Sequence, residues 1–178
     1  AKILWVVYAG ISLIEVIFLL AGGMSLFDAT CHTFTTMPTG GFSTRNLSIA
    51  AYQNPAIDYL VVFFMVLAGI NFSLHFQLFK GKPLALWRDS ECRFYVAAVL
   101  LLTAIVSINI YGESYAHLGR AIRDGAFQVV SILTTTGFTT ADYETWPQAA
   151  QMFLYAVCFI GACAGSTTSG IKIVHYVV

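Results

Sequence analysis

Charged side chains are scarce in this sequence, and those present cancel. Lysine, arginine, aspartate and glutamate make up 10% of the 178 residues, against about 25% in an ordinary soluble domain. Nine basic and nine acidic residues give a net charge of zero, so a broad electrostatic field for nucleic acid is not indicated. Together with a mean hydropathy of +0.75, this composition predicts an integral membrane protein in a lipid bilayer.

Metal-binding cysteine patterns and an initiator methionine are also missing. The four cysteines are Cys31, Cys92, Cys158 and Cys163. Their spacing matches no metal motif, so we expect them to be small packing residues. Because the chain begins without methionine and ends inside an apolar stretch, we expect it to be a piece of a longer polypeptide.

What the sequence does contain is four apolar segments near the length of about 20 residues that a membrane-spanning helix needs. They are residues 3–22, 56–79, 94–111 and 152–178. The connections 23–55 and 112–151 each hold a semi-apolar run too short to span, followed by threonine and glycine. That pattern predicts a short pore helix and a re-entrant loop in each connection.

The charges of one linker predict the orientation. Residues 80–93 hold four basic residues against two acidic ones, which predicts a cytoplasmic position for this linker. The two re-entrant connections then face the outer side.

The chain also repeats itself at an offset of 96 residues. Asp28 falls on Asp124, Thr39 on Thr135, and Gly41-Phe42 on Gly137-Phe138. We therefore predict an all-α membrane fold made of two tandem units, each with an outer helix, a pore helix, a loop and an inner helix. The predicted division is a first repeat at 1–79, a linker at 80–93 and a second repeat at 94–178.

The two loops carry the predicted chemistry. We expect Asp124 to cap the second pore helix and Pro38 to end the first one at Met37. Backbone carbonyls beyond each helix can then replace the water shell of a cation, and glycine permits the backbone conformation required. The predicted selectivity filter is Thr39, Gly40, Gly41 and Phe42 with Thr135, Thr136, Gly137 and Phe138. Carbonyls of the six threonine and glycine residues would hold potassium, and Phe138 would wedge its loop against the scaffold.

The second inner helix contains a run of ten small residues. They are Gly161, Ala162, Cys163, Ala164, Gly165, Ser166, Thr167, Thr168, Ser169 and Gly170. Each glycine weakens a helix by about 1 kcal/mol, and backbone freed at membrane depth must be buried or face water. We predict a gating loop below the filter; the alternative is a close helix–helix contact. Lys172 either snorkels to the interface or anchors the closed state.

Two further features of the sequence bear on function: the middle of the first inner helix and one acidic residue in the first span. The first inner helix has far fewer small residues at the matching place, Ala68-Gly69-Ile70-Asn71, so we expect the two copies to differ in role. Glu15 is an acid within a predicted span, which marks it as a functional candidate. It would either bond to a pore helix or contact an ion.

Several stretches resemble one family closely. They are Cys31-His32-Thr33-Phe34, Gly40-Gly41-Phe42-Ser43-Thr44, Leu67-Ala68-Gly69-Ile70-Asn71-Phe72, Phe127-Gln128-Val129-Val130-Ser131, the run from Thr134 to Asp142, and Gly161-Ala162-Cys163-Ala164-Gly165-Ser166-Thr167. Across essentially the whole chain they resemble the Trk/Ktr/HKT superfamily of potassium transporters, most of all the membrane subunits of Trk uptake systems.

The resemblance implies four helix–pore helix–helix repeats around one pseudo-fourfold pore, and this chain is similar to the second and third. It also implies that Gly41 and Gly137 are filter glycines that favour potassium. The partners implied are the remaining repeats of the longer chain, a second copy in a homodimer and a cytosolic nucleotide-binding regulatory subunit. The location implied is the cell (inner) membrane.

Potassium transport through a gated, channel-like pore, without enzymatic activity, is therefore the predicted function, with potassium as the only ligand and no organic cofactor. An ion-coupled secondary transporter of another substrate remains the alternative, because broken helices and repeats also occur there. An intramembrane hydrolase using Ser166 or Ser169 with His75 or His175 lacks any catalytic motif.

Overall fold

Helices supply all regular structure in the residues that the computed structural model describes, 2–82 and 84–177, apart from two isolated bridges. In chain order they are α1 (Lys2–Ala21), α2 (Leu26–Thr36), α3 (Pro55–Gly69), α4 (Phe72–Phe79), α5 (Leu84–Arg88), α6 (Ser90–Ile110), α7 (Leu118–Leu133), α8 (Gln148–Val157) and α9 (Val174–Val177). The 3₁₀ turns Ser48–Tyr52 and Tyr143–Thr145 lie in the connections.

Two of the four predicted spans are continuous helices. Leu4–Ala21 in α1 and Ser90–Ile110 in α6 are long and apolar enough to cross a membrane. The predicted span 56–79 is bent, because α3 and α4 meet at 101°. The predicted span 152–178 is interrupted between α8, which ends at Val157, and the short α9, which starts at Val174; residues 161–170 lie within that interruption.

The pore helices begin and end differently from each other. Ser25 caps α2 by accepting the N–H of Asp28, and α2 ends at Thr36 with Met37 at its C-cap, so the expected stop before Pro38 is confirmed. The predicted capping role of Asp124 is wrong. Helix α7 starts at Leu118, well before Asp124, and its N-cap residue makes no side-chain cap bond.

The two halves of the chain share a core. α6 packs along α7, α1 against α2, and α3 crosses to α7. One buried cluster joins Leu19 and Val61 of the first half with Phe127, Val130 and Phe138 of the second. The repeats are therefore packed as neighbours around common apolar contacts, which brings their loops together.

Candidate ion pathway

The loops after α2 and α7 follow the same backbone path. Thr39 and Thr135 have φ of 57° and 56°, and Gly41 and Gly137 have φ of 66° and 87°. A left-handed conformation is rare for a β-branched residue and costs about 1–3 kcal/mol. Because the same strained pair recurs 96 residues apart, the repeat seen in the sequence is also a repeat of conformation.

A hydroxyl on each pore helix fixes the loop that follows. Thr35 Oγ1 donates to the carbonyl of Phe42 at 2.7 Å, and Ser131 Oγ donates to the carbonyl of Phe138 at 2.7 Å. The carbonyls of the same Thr35 and Ser131 each accept the N–H groups of the two residues that precede the phenylalanine. Each loop is thus held by its own helix.

These bonds use the N–H groups of the loops and leave their carbonyls free. The residues concerned are Thr39, Gly40, Gly41, Thr135, Thr136 and Gly137. All six donate their N–H to the preceding pore helix, and none of their carbonyls accepts a hydrogen bond within residues 2–82 and 84–177. Carbonyls at membrane depth need a partner. A cation that has shed water is one.

The two loops touch at one point. A Cβ atom placed on Gly41 would lie 1.8 Å from the carbonyl oxygen of Thr136. At the matching position, Gly137, no non-neighbouring atom of the described chain lies within 4 Å of such a Cβ. The loops therefore sit side by side, and the second one has open space where the first has a neighbour.

The phenylalanines of the two loops also differ in their surroundings, because one is buried and the other is exposed. Phe138 is fully buried, and its ring centroid is 5.8 Å from that of His32 on the first pore helix. Phe42 is 78% exposed. Gln128, which matches His32 by the repeat, is buried with Oε1 unpaired among the described residues. The burial of Phe138 is what a wedge role requires, whereas Phe42 is left exposed in the described chain.

An ion pair ties the end of the first loop back to its pore helix. Asp28 lies 2.9 Å from the guanidinium of Arg45 and accepts the hydroxyl of Thr44 at 2.6 Å. The bond from Thr44 is the main cause that lowers the pKa of Asp28 to about 2, and Arg45 acts in the same direction against the opposing effect of burial. Sequence reasoning missed this pair, because Arg45 is remote from Asp28 along the chain.

A larger charge cluster surrounds the matching carboxylate of the second repeat. Asp124 lies 3.1 Å from Arg123 and 3.7 Å from Arg120, and Arg123 also lies 3.4 Å from Asp58 of the first repeat. The i,i+4 spacing of Arg120 and Asp124 is a signal that could have found one of these pairs. The cluster links the second pore helix to the start of α3.

The small-residue segment 161–170 is not helical. It folds back on itself between α8 and α9, with the N–H of Gly161 donating to Ile171 at 2.8 Å and that of Ile173 to Ala162 at 3.2 Å. A Cβ on Gly161 would lie 2.4 Å from the Ser169 carbonyl. The alternative of a helix packed through small residues is wrong for this structure.

The tip of this segment contacts both loops. Thr167 donates its hydroxyl to the Met37 carbonyl at 2.8 Å and accepts that of Thr39 on its own carbonyl at 3.1 Å. The N–H of Ser169 donates to the Thr135 hydroxyl at 2.9 Å. The structure thus brings the two sets of predicted site residues together.

The same segment closes the break in the first inner helix. The last four carbonyls of a helix lack intrahelical partners; in α3 they belong to residues 66–69. The carbonyls of Val66 and Leu67 are bonded to the Tyr95 hydroxyl at 3.4 Å and to His75 Nε2 at 2.9 Å. Those of Ala68 and Gly69 accept the N–H of Thr167 at 3.5 Å and the N–H of Cys163 at 3.1 Å. The first copy is therefore broken at the matching place despite its few small residues. The copies differ in the length of the break.

Two charged side chains form hydrogen bonds with the segment 161–170. Glu91 Oε1 accepts the N–H of Ala164, and Lys172 Nζ donates to the carbonyl and the hydroxyl of Thr168. Lys172 was a predicted site residue, and here it bonds the segment directly. Glu91 was missed, because nothing in its local sequence marks it.

Glu15 is fully buried on α1. Neither carboxyl oxygen has a hydrogen-bond partner in the described part of the chain. The Thr36 hydroxyl stands beside it but donates to the His32 carbonyl at 2.8 Å. The bond expected between Glu15 and a pore helix is therefore not formed.

Two of the residues weighed for an intramembrane enzyme are engaged elsewhere. Ser166 donates to the Cys163 carbonyl at 2.6 Å, and His75 is bonded to Leu67. Residues 2–82 and 84–177 also contain no group of three His, Cys, Asp or Glu side chains that could hold a metal. The polar groups that the two loops leave without a partner in the described chain are backbone carbonyls.

Comparison with known proteins places this geometry in context. A family model described as TrkH, cation transport protein, matches residues 1–178. The chain is 38% identical over 98% of its length to the Trk system potassium uptake protein TrkH of Salmonella typhimurium, and 37% identical over 98% to that of Escherichia coli K12. It spans 37% of the length of these relatives. The crystal structure of the potassium transporter TrkH from Vibrio parahaemolyticus matches with a TM-score of 0.95 at 34% identity, over 99% of this chain and 38% of that one.

Proposed function

Because this chain belongs to the TrkH family of cation transport proteins, we propose that it forms part of a potassium-conducting pathway across a cell membrane. One observation carries the proposal: two touching loops whose six N–H groups are all bonded and whose six carbonyls are all free within the described residues. The predicted superfamily and the all-α membrane fold are confirmed by the family match and by the solved relative.

Potassium would bind to the carbonyls of residues 39–41 and 135–137. Conduction requires oxygen ligands that replace the hydration shell of the ion and still release it to the next site. Each loop is fixed by its pore-helix hydroxyl and by paired N–H groups, which keeps the carbonyls available. Left-handed strain at Thr39 and Thr135 is typical of such functional backbone.

The segment 161–170 would act as the gate. It bonds to both loops and to the broken end of α3, so in this arrangement it stands at the end of the pathway. Its small side chains offer little packing, and a segment of this kind exchanges between two arrangements at modest cost. Lys172 would anchor the closed arrangement through Thr168.

The remainder of the pore would come from further repeats of the same longer chain. Three features support this: Phe42 is exposed, Gln128 Oε1 is unpaired among the described residues, and the space beside Gly137 is open there. A homodimer, a cytosolic nucleotide-binding regulatory subunit, the inner-membrane location and a cytoplasmic linker at 80–93 belong to the same proposal. So do the repeat boundaries 1–79 and 94–178.

Ion flux into liposomes tests this function. We expect the full-length protein to admit radioactive rubidium down its own gradient, in preference to sodium, without any added sodium or proton gradient. Uptake that requires such a gradient would instead support the coupled transporter, and equal rubidium and sodium flux would contradict a potassium filter.

A further inference from the structure

We propose that Glu91, near the end of the linker 80–93, is a positioning residue that latches the segment 161–170 in its blocking arrangement. The proposal rests on the proposed gating function of that segment. It gives a role to an acidic side chain outside the predicted filter and gate.

Glu91 is held firmly at the start of a long helix. It lies in the first turn of α6, which Asp89 caps by accepting the N–H of Cys92 at 2.7 Å. Cys92 and Tyr95 are buried in the same cluster as Cys163 of the segment. Because neighbours on both sides are fixed, the carboxylate has a defined position against the segment.

The contact made by Glu91 differs from the other contacts of the segment. Its other polar contacts use backbone groups, hydroxyls or Lys172, whereas Glu91 is the only acid in the described residues that accepts one of its N–H groups. A hydrogen bond to a carboxylate is roughly twice as strong as a neutral one. Ala164 therefore makes the one charge-assisted hydrogen bond donated by a backbone N–H of the segment in the described residues.

Opposite charges hold the segment from two directions. Glu91 binds the backbone at Ala164, and Lys172 binds Thr168. Among the described side chains, no salt bridge within 4.0 Å joins Glu91 to Lys172, so each charge holds the segment through its own hydrogen bond. Withdrawing either charge would loosen the tip at Thr167, which bonds to Met37.

The position of Glu91 also supplies a route from the linker to the gate. It follows α5 and the capping residue Asp89 directly. A movement of the linker that turns the first turn of α6 would pull the carboxylate away from Ala164. The freed N–H would then favour a different arrangement of the segment.

The test measures basal rubidium flux and the rubidium-to-sodium ratio of the full-length protein in liposomes. E91A removes the acceptor, and E91Q keeps an acceptor without charge. Lactic acid incorporated in place of Ala164 replaces the donor N–H with an ester oxygen and leaves Glu91 intact. E113A, which removes an exposed acid in the connection after α6, is the matched control.

We expect E91A and the ester at 164 each to raise basal flux by about tenfold, as for loss of a charge-assisted hydrogen bond. E91Q should raise it less, the ion ratio should stay unchanged, and E113A should match the parent. E91A combined with the ester should equal either alone, because both remove one bond.

Deletion of residues 162–169 separates this proposal from the proposed gate. Gly161 and Gly170 lie against each other, so their ends can be rejoined. If the deletion raises flux and E91A does not, the gate stands and the latch is overturned. If neither raises flux, the gating function fails. If E91A still raises flux in the deletion protein, Glu91 acts elsewhere. Should E91A fail to fold in detergent, E91Q and the ester decide the outcome.

Discussion

Gly41 and Gly137 occupy the same point of the same loop, yet they have different surroundings. Both have a left-handed backbone, but only Gly41 faces a neighbouring loop, with Thr136 against it. Phe138 is buried against the first pore helix while Phe42 is exposed. Each repeat therefore builds its loop from its own pore helix, and the lateral contacts of both loops join the first repeat to the second.

The inner helices show a second difference. The first breaks over Ile70 and Asn71, where Asn71 caps α4 by accepting the N–H of Ser73. The second breaks over a long segment that returns to the filter loops. Both repeats break at the matching place, but only the second has enough free chain to reach the pathway.

The largest expected effect is at Gly41. A β-carbon there would overlap the Thr136 carbonyl at 1.8 Å, so G41A should displace both loops and abolish the preference for rubidium over sodium. G137S should lower the same preference less, because its φ of +87° is strained but its surroundings in the described chain are open. Flux of both ions in liposomes gives the ratio.

Gly112 provides the control for backbone strain alone. Its φ is +88° and no non-neighbouring atom of the described chain lies within 4 Å of a Cβ placed there, so G112S carries the backbone strain of G137S at a position away from these loops. If G41A keeps the ratio of rubidium to sodium flux of the parent protein, the difference inferred between the two loops is wrong.

The next effect concerns the long break of the second repeat. Deleting residues 162–169 should raise basal rubidium flux and weaken control by any regulatory partner, because the contacts to Met37 and Thr135 are lost. Flux with and without that partner is the measurement. If the deleted protein inserts and conducts no faster than the parent, the segment is a packing surface.

A smaller effect is expected at Asp28, the carboxylate of the first pore helix. The pKa of Asp28 is lowered from 3.8 to about 2, so its ionised form stabilises the fold above pH 3.8. This contribution is lost as the pH falls through that interval. D28N should therefore show a smaller drop in Tm than the parent between pH 5 and about pH 2. Thermal unfolding in detergent measures this, and identical drops would show that Asp28 contributes nothing there.

The smallest effect is expected at Glu15. A buried charge without partners is costly, and both of its oxygens lack partners within the described residues. E15Q keeps the shape without an ionisable group, so Tm and flux should match the parent, whereas E15A should lower Tm by leaving a cavity. Loss of flux in E15Q but not in E15D would show that the carboxylate itself contacts the ion.

Sequence reasoning located the loops, the repeat and the small-residue break, because each depends on residues close together in the chain. It placed Asp124 at a helix start that lies at Leu118, because an aspartate before an apolar run is a common N-cap pattern. It did not predict the bend after Gly69, which depends on contacts made by residues far along the chain.

The sequence by itself determined the local conformation of this protein. Pro38, the paired glycines and the hydroxyls of Thr35 and Ser131 act within a few residues, through sterics and short-range hydrogen bonds. Only the tertiary structure decided that Gly41 meets Thr136, that Thr167 reaches Met37, and that Glu91 meets Ala164. Those contacts join residues 73 to 130 positions apart, so they arise from helix packing, which no local pattern encodes.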